Sequence, residues 1–255
     1  MLSSFENTNK NTNKSTNKST NKNTNKGTNK STNKNTIDYH SLAINNDFDS
    51  LFLKIKDDNS LINIVDNSQN TFLHYALINK NIQAIINLVN IPLINLNCKN
   101  NLGDTPLHIA CYNILNALLN QDKTIYYHFE IVILLLNNGA RKDILNNQFM
   151  FPFNFLKDIN NLIDLDGNTL LHIVIKNRKI NIAKFMIEYL KSDLNIQNNN
   201  GETPVHFSVF NAIKYFDNME FYYFLNFLFK IGYNEYIKDL RGFTAGNYLE
   251  NVLIK

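Results

Sequence analysis

The sequence predicts an all-α solenoid of stacked helix–helix–turn units, preceded by a disordered tail. Three observations predict it. A short motif built on a threonine and a histidine recurs at near-constant spacing. Each copy is followed by apolar residues at helical intervals. Residues 1–36 contain a lysine-bearing tetrad repeat instead.

The tail comes first in the chain. Over residues 7–36 a four-residue unit, Asn/Ser/Gly-Thr-Asn-Lys, repeats with no apolar side chain. Such a segment cannot offset the conformational entropy lost on ordering, so residues 1–36 are expected to be disordered. They carry seven lysines and one acid, Glu6, while the rest of the chain carries 18 basic and 21 acidic side chains. The formal charge of +3 thus hides a basic tail on a mildly acidic body. One reading of the tail is an electrostatic arm for nucleic acid or an anionic membrane surface. Against it, the lysines are diluted one in four and have no arginine or aromatic partner, as in a tract grown by simple repeat expansion.

The body, residues 37–255, repeats. Thr105-Pro106-Leu107-His108-Ile109-Ala110 has a copy one period earlier at Thr71-Phe72-Leu73-His74-Tyr75-Ala76. Thr169-Leu170-Leu171-His172-Ile173-Val174 and Thr203-Pro204-Val205-His206-Phe207-Ser208 repeat it again, with the same spacing between them. Weaker copies open at Asp38, Phe151 and Thr244. The motif has a physical reason: threonine is a preferred helix N-cap, whose hydroxyl accepts from the amide of the third helical residue. Proline behind it, at Pro106 and Pro204, is pre-set for the first turn and loses no needed donor. A glycine two residues ahead of the cap (Gly103, Gly167, Gly201, Gly242) suits a tight turn with positive φ.

Second helices follow the first at apolar positions Ile82, Ile85, Ile86 and Val89; Ile131, Leu134 and Leu135; Ile182, Phe185, Met186 and Tyr189; Phe224, Phe227 and Leu228. Turns rich in Asn and Asp close the units at residues 97–103, 195–201 and 235–242. Two units are long, those opening at Thr105 and at Thr203. Both surpluses fall between first and second helices, at residues 114–129 and 212–221. They bring aromatics (Tyr126, Tyr127, Tyr215, Phe216) that would serve equally as an interaction loop or as extended helix ends. One unit is short: the interval from Phe151 to Thr169 is roughly half a period, so its second helix is missing. Either a single helix bridges the stack there, or the stack bends and breaks within residues 150–165.

Histidines 74, 108, 172 and 206 share one repeat position. Stacked helices lie roughly 8–10 Å apart, so successive imidazoles cannot share one ion bound at about 2 Å. A hydrogen bond to the residue's own turn and to the next repeat explains them better, and no metal is expected. Cys98 and Cys111 form no Cys-x-x-Cys pair; Cys111 reads as a small buried apolar residue. Asp164 and Asp166 read as turn residues. Phosphate-loop, dinucleotide, nucleophile-elbow and zincin motifs are not found, so neither cofactor nor catalysis is expected.

On Thr71–Ala76, Thr105–Ala110, Thr169–Val174 and Thr203–Ser208 the body resembles the ankyrin-repeat family, with Asp38, Phe151 and Thr244 matching in position only. That resemblance implies antiparallel helix pairs joined by turns that project as short β-hairpin fingers. It also implies a non-enzymatic adaptor or scaffold that binds a protein partner through hairpin tips and inner helices. Carried onto this sequence, the contact residues are Asn67, Ser68 and Gln69; Asn100, Asn101 and Leu102; Asn198, Asn199 and Asn200; Leu240 and Arg241. The N-terminus lacks the apolar core of a signal peptide. The apolar runs at 131–136 and 221–231 fall short of the roughly 18 residues a span needs. An intracellular, cytoplasmic chain, monomeric by itself, is the expectation.

Overall fold

The computed structural model describes residues 39–253, with side chains as far as residue 250. The expectation for residues 1–36, and for Asp38, lies outside the described residues.

Helices alternate in pairs along the chain. The first members are α1 (Tyr39–Ile44), α3 (Phe72–Ile78), α5 (Pro106–Leu119), α7 (Leu170–Lys176), α9 (Pro204–Lys214) and α11 (Ala245–Leu253). The second members are α2 (Phe48–Asp57), α4 (Ile82–Val89), α6 (Ile125–Asn137), α8 (Ile180–Tyr189) and α10 (Met219–Ile231). First helices pack on first helices, α1 on α3 on α5 and α7 on α9 on α11; second helices form their own row, α4 on α6 on α8 on α10. Each pair shares the apolar seam the sequence marks. Leu73, Leu107, Leu171 and Val205 at the second helical position are buried, as are Ala76, Ala110, Val174 and Ser208 three residues later. A leucine so buried contributes roughly 1.5–3 kcal/mol, which is why short helices of seven residues hold at all.

The two long units resolve in favour of helix extension. α5 runs 14 residues where α3 and α7 run 7, and α9 and α10 run 11 and 13. Their aromatics divide between core and solvent. Tyr126 is half-buried while Tyr127 is exposed, and Tyr215 stacks on Phe221 at 5.9 Å while Phe216 is exposed.

The short unit departs from the expectation of one helix. After Phe151 come two 3-10 turns, Pro152–Leu156 and Ile159–Asn161. The first packs on α5 and the second on α7, so the first row continues through them. In the second row α6 meets α8 directly, with the rings of Phe129 and Phe185 at 6.0 Å. The reason is spacing: the interval is too short for a helix pair, and the turn bridged between Ile163 and Thr169 consumes its end.

Candidate functional site

The turns between units, six among the described residues, share one build. Each opens with an Asp or Asn whose side chain folds over its own backbone. Oδ1 of Asn100 accepts from the amides of Leu102 and Asp104 at 2.9 and 3.0 Å. Asp66, Asn146, Asp164, Asn198 and Asp239 do the same. A backbone bond then closes the turn four residues on, as from the Asn198 amide to the Glu202 carbonyl. The fourth position has positive φ in every one: Gln69, Gly103, Phe149, Gly167, Gly201 and Gly242. These are the fingers that the resemblance implied, and two of them carry antiparallel bridges, Ile163 with Thr169 and Lys238 with Thr244.

Successive fingers are stitched. The Asn101 amide donates to Ser68 O and its side chain to Asn67 O; Asn147 repeats this on Leu102 O and Asn101 O. Asn199 repeats it on Asp166 O and Leu165 O, and the Leu240 amide donates to Asn200 O. Among the described residues no backbone bond joins the finger at 146–150 to that at 164–168, so the stitched rail falls into two runs of three. A Cβ built on Gly103 would sit 2.4 Å from Asn147 Oδ1 and 2.6 Å from its amide nitrogen. Glycine is therefore required there both by φ and by the docking finger. Gln69, whose finger is docked by the next, and Phe149, on whose finger none docks among the described residues, hold side chains at this position with φ 59° and 58°.

The histidines lock the same joints from below. The amide of each capping threonine donates to Nδ1 of the histidine three residues on, at 3.1 Å in all four motifs. The threonine hydroxyl lies 2.8–2.9 Å from that nitrogen. An amide only donates, so Nδ1 accepts and Nε2 bears the proton. It donates across to the next unit, to the carbonyls of Asp104, Met150, Glu202 and Phe243. At Thr71 the hydroxyl also accepts from the His74 amide, at 3.4 Å, in the way expected of an N-cap.

The proposed contact residues therefore separate. Asn100 and Asn198 are committed to shaping their turns, and Asn101 and Asn199 spend their amides on the preceding finger. Arg241 bonds Asp239 at 3.0 Å and Glu202 at 3.0 Å, and its guanidinium lies over Tyr248. Asn67, Ser68, Gln69, Leu102, Asn200 and Leu240 are exposed at the tips. Two tips were missed by the sequence reading. Phe149 and Leu165 are 84% and 99% exposed, against 58% and 80% for Leu102 and Leu240. Fingers 146–150 and 164–168 could have been found by stepping back from each cap position to an Asn or Asp at the offset that Asp66 holds from Thr71. The tips thus offer four bare apolar side chains beside fingers that asparagine side chains stitch together. That arrangement can bind a surface, and none of the four side chains is a nucleophile, an acid or a base.

A family model for ankyrin repeats, in three copies, matches residues 39–146 and 124–221. An ankyrin repeat protein of Acanthamoeba polyphaga mimivirus is 28% identical over 180 residues, 70% of this chain and 19% of that protein. The human SMC5-SMC6 complex localization factor protein 1 is 30% identical over 145 residues, 56% of this chain and 11% of that protein. The chain spans less than a fifth of the length of these relatives. An ankyrin repeat domain from Acinetobacter baumannii aligns at 20% identity with a TM-score of 0.36, covering 84% of this chain and 90% of that one. No helix among the described residues is long and apolar enough to cross a membrane.

Proposed function

The chain belongs to the ankyrin-repeat family, whose repeats are generally protein–protein interaction modules, and from that premise we propose that it is a non-enzymatic adaptor or scaffold gripping a protein partner by its finger tips. The observation that supports this reading is the set of exposed apolar tip residues, Leu102, Phe149, Leu165 and Leu240, on fingers that Asn101, Asn147 and Asn199 stitch together. Large side chains on a preorganised backbone bind with little ordering cost, which is what makes an interface anchor. The inner helices add a second strip in the last units. Rings of Phe207, Phe210 and Tyr248 lie in edge contact, with Phe210 and Tyr248 at 4.9 Å, and Lys176 stands over Phe207.

The test is capture of partners from the native host on the full chain and on a variant carrying Leu102→Asn, Phe149→Gly, Leu165→Asn and Leu240→Asn. The proposal expects a specific protein that the variant loses. A partner held equally by both would count against the tips, and capture of none would count against the role.

A further inference from the structure

The missing second helix leaves a cleft. Its volume is about 540 Å³, and it opens between the 3-10 turn Pro152–Leu156, the loop after α6 and the end of α8. That size falls within the roughly 300–1,000 Å³ of ordinary ligand sites. Phe151, Phe153 and Tyr189 line it, with Phe153 and Tyr189 edge to face at 5.8 Å. Phe151 occupies the position that threonine fills in the four regular motifs. Those threonines are buried; Phe151 is 44% exposed and has no hydroxyl to cap with. The local rule fails at the lip of the cleft, where an aromatic is displayed in place of a cap.

The rim carries more positive than negative charge. Lys142, Lys157 and Lys191 are exposed around it, and Lys142 also stands over the Tyr189 ring at 4.8 Å. Of the two carboxylates in the lining, Asp143 is held in two bonds by Arg141, which leaves Glu188 alone against three ammonium groups. The chain's own residues 1–36, with seven lysines and one acid, carry charge of the same sign. A nucleic-acid strand would find no arginine in the lining.

We propose that this cleft is a second binding surface, for an acidic peptide segment of a partner protein that seats an aromatic or branched apolar side chain among Phe151, Phe153 and Tyr189. It does not depend on the finger tips.

The experiment is fluorescence anisotropy with the full chain and a labelled peptide, Glu-Glu-Phe-Leu-Glu-Glu, beside its uncharged counterpart Gln-Gln-Phe-Leu-Gln-Gln. The acidic peptide is expected to bind at least about ten-fold tighter, and to lose that advantage in Lys142→Gln/Lys157→Gln/Lys191→Gln. Phe151→Thr, which restores the repeat's own cap and so keeps the fold, is expected to weaken both peptides. The finger-tip variant Leu102→Asn/Leu240→Asn is expected to bind like the parent. Equal affinity for the two peptides, indifference to Phe151→Thr, or displacement of the acidic peptide by a thymidine oligonucleotide or by added unlabelled chain would overturn the proposal.

Discussion

Nε2 of His74 donates to the carbonyl oxygen of Asp104 at 3.1 Å, joining residues 30 apart in sequence across the interface between two units. The same imidazole receives the Thr71 amide on Nδ1, so one neutral side chain ties a helix cap to the next finger. A second proton on the ring would face an N–H that can only donate.

The first expectation follows from that geometry. Burial holds His74, His108 and His172 below the ordinary imidazole range, against the raising effect of the carbonyls they face. The unfolded chain, titrating near pH 6.5, then binds more protons than the folded one, so stability rises with pH through that region. It is fully present above the ordinary histidine value and is lost as pH falls below it. Urea midpoints should drop between about pH 7 and about pH 5. A midpoint that stays flat or climbs on acidification would contradict this protonation state.

Replacing the lock tests it directly. His108→Phe keeps the apolar contact but strands the Thr105 amide and the Met150 carbonyl. The expected cost is about 2 kcal/mol in chemical denaturation. A neutral result would mean that the bonds across this joint carry no net stability.

Two glycines separate backbone strain from finger docking. Gly103→Ala meets both a φ of 76° and the docked Asn147, whereas at Gly242, φ 84°, a Cβ meets nothing within 4 Å. Losses of more than about 2 kcal/mol and about 1 kcal/mol respectively are expected. Phe149→Gly should stay within about 1 kcal/mol of the parent, because relief of the left-handed strain offsets the added freedom of the unfolded chain. Equal losses for the two alanine variants would mean that docking contributes nothing at Gly103.

His128 is buried in α6, and its Nε2 meets no hydrogen-bond partner among the described residues. Such an atom carries a desolvation cost with no return. His128→Met, of similar volume and better helix propensity, should raise stability by up to about 1 kcal/mol. A clear loss would reveal a partner, such as a bound water, that this side chain holds.

What the sequence discloses here is what is local. The cap at Thr105, the proline behind it and the histidine three residues on act within one helical turn, so their spacing is enough. The short unit is legible for the same reason, since the stretch from Phe151 to Thr169 cannot hold two helices. Its replacement by 3-10 turns is not legible, because that depends on α6 closing onto α8. The asparagines are the instructive case. Asn101 looks like a bare polar residue at a tip, yet its side-chain amide is taken by Asn67 O at 3.1 Å, across from the preceding finger. Phe149 was hidden for a different reason: its left-handed position normally calls for glycine.

Site-specific photocrosslinking in the native cell tests the central claim most directly. A benzophenone amino acid would be placed in turn at positions 102, 149, 165 and 240 on the fingers, and at exposed positions 53 and 222 on α2 and α10. Adducts to one common protein from the finger positions, and none to it from the two helix positions, is the outcome this account requires. Adducts arising equally from α2 and α10, or from no finger at all, would contradict it.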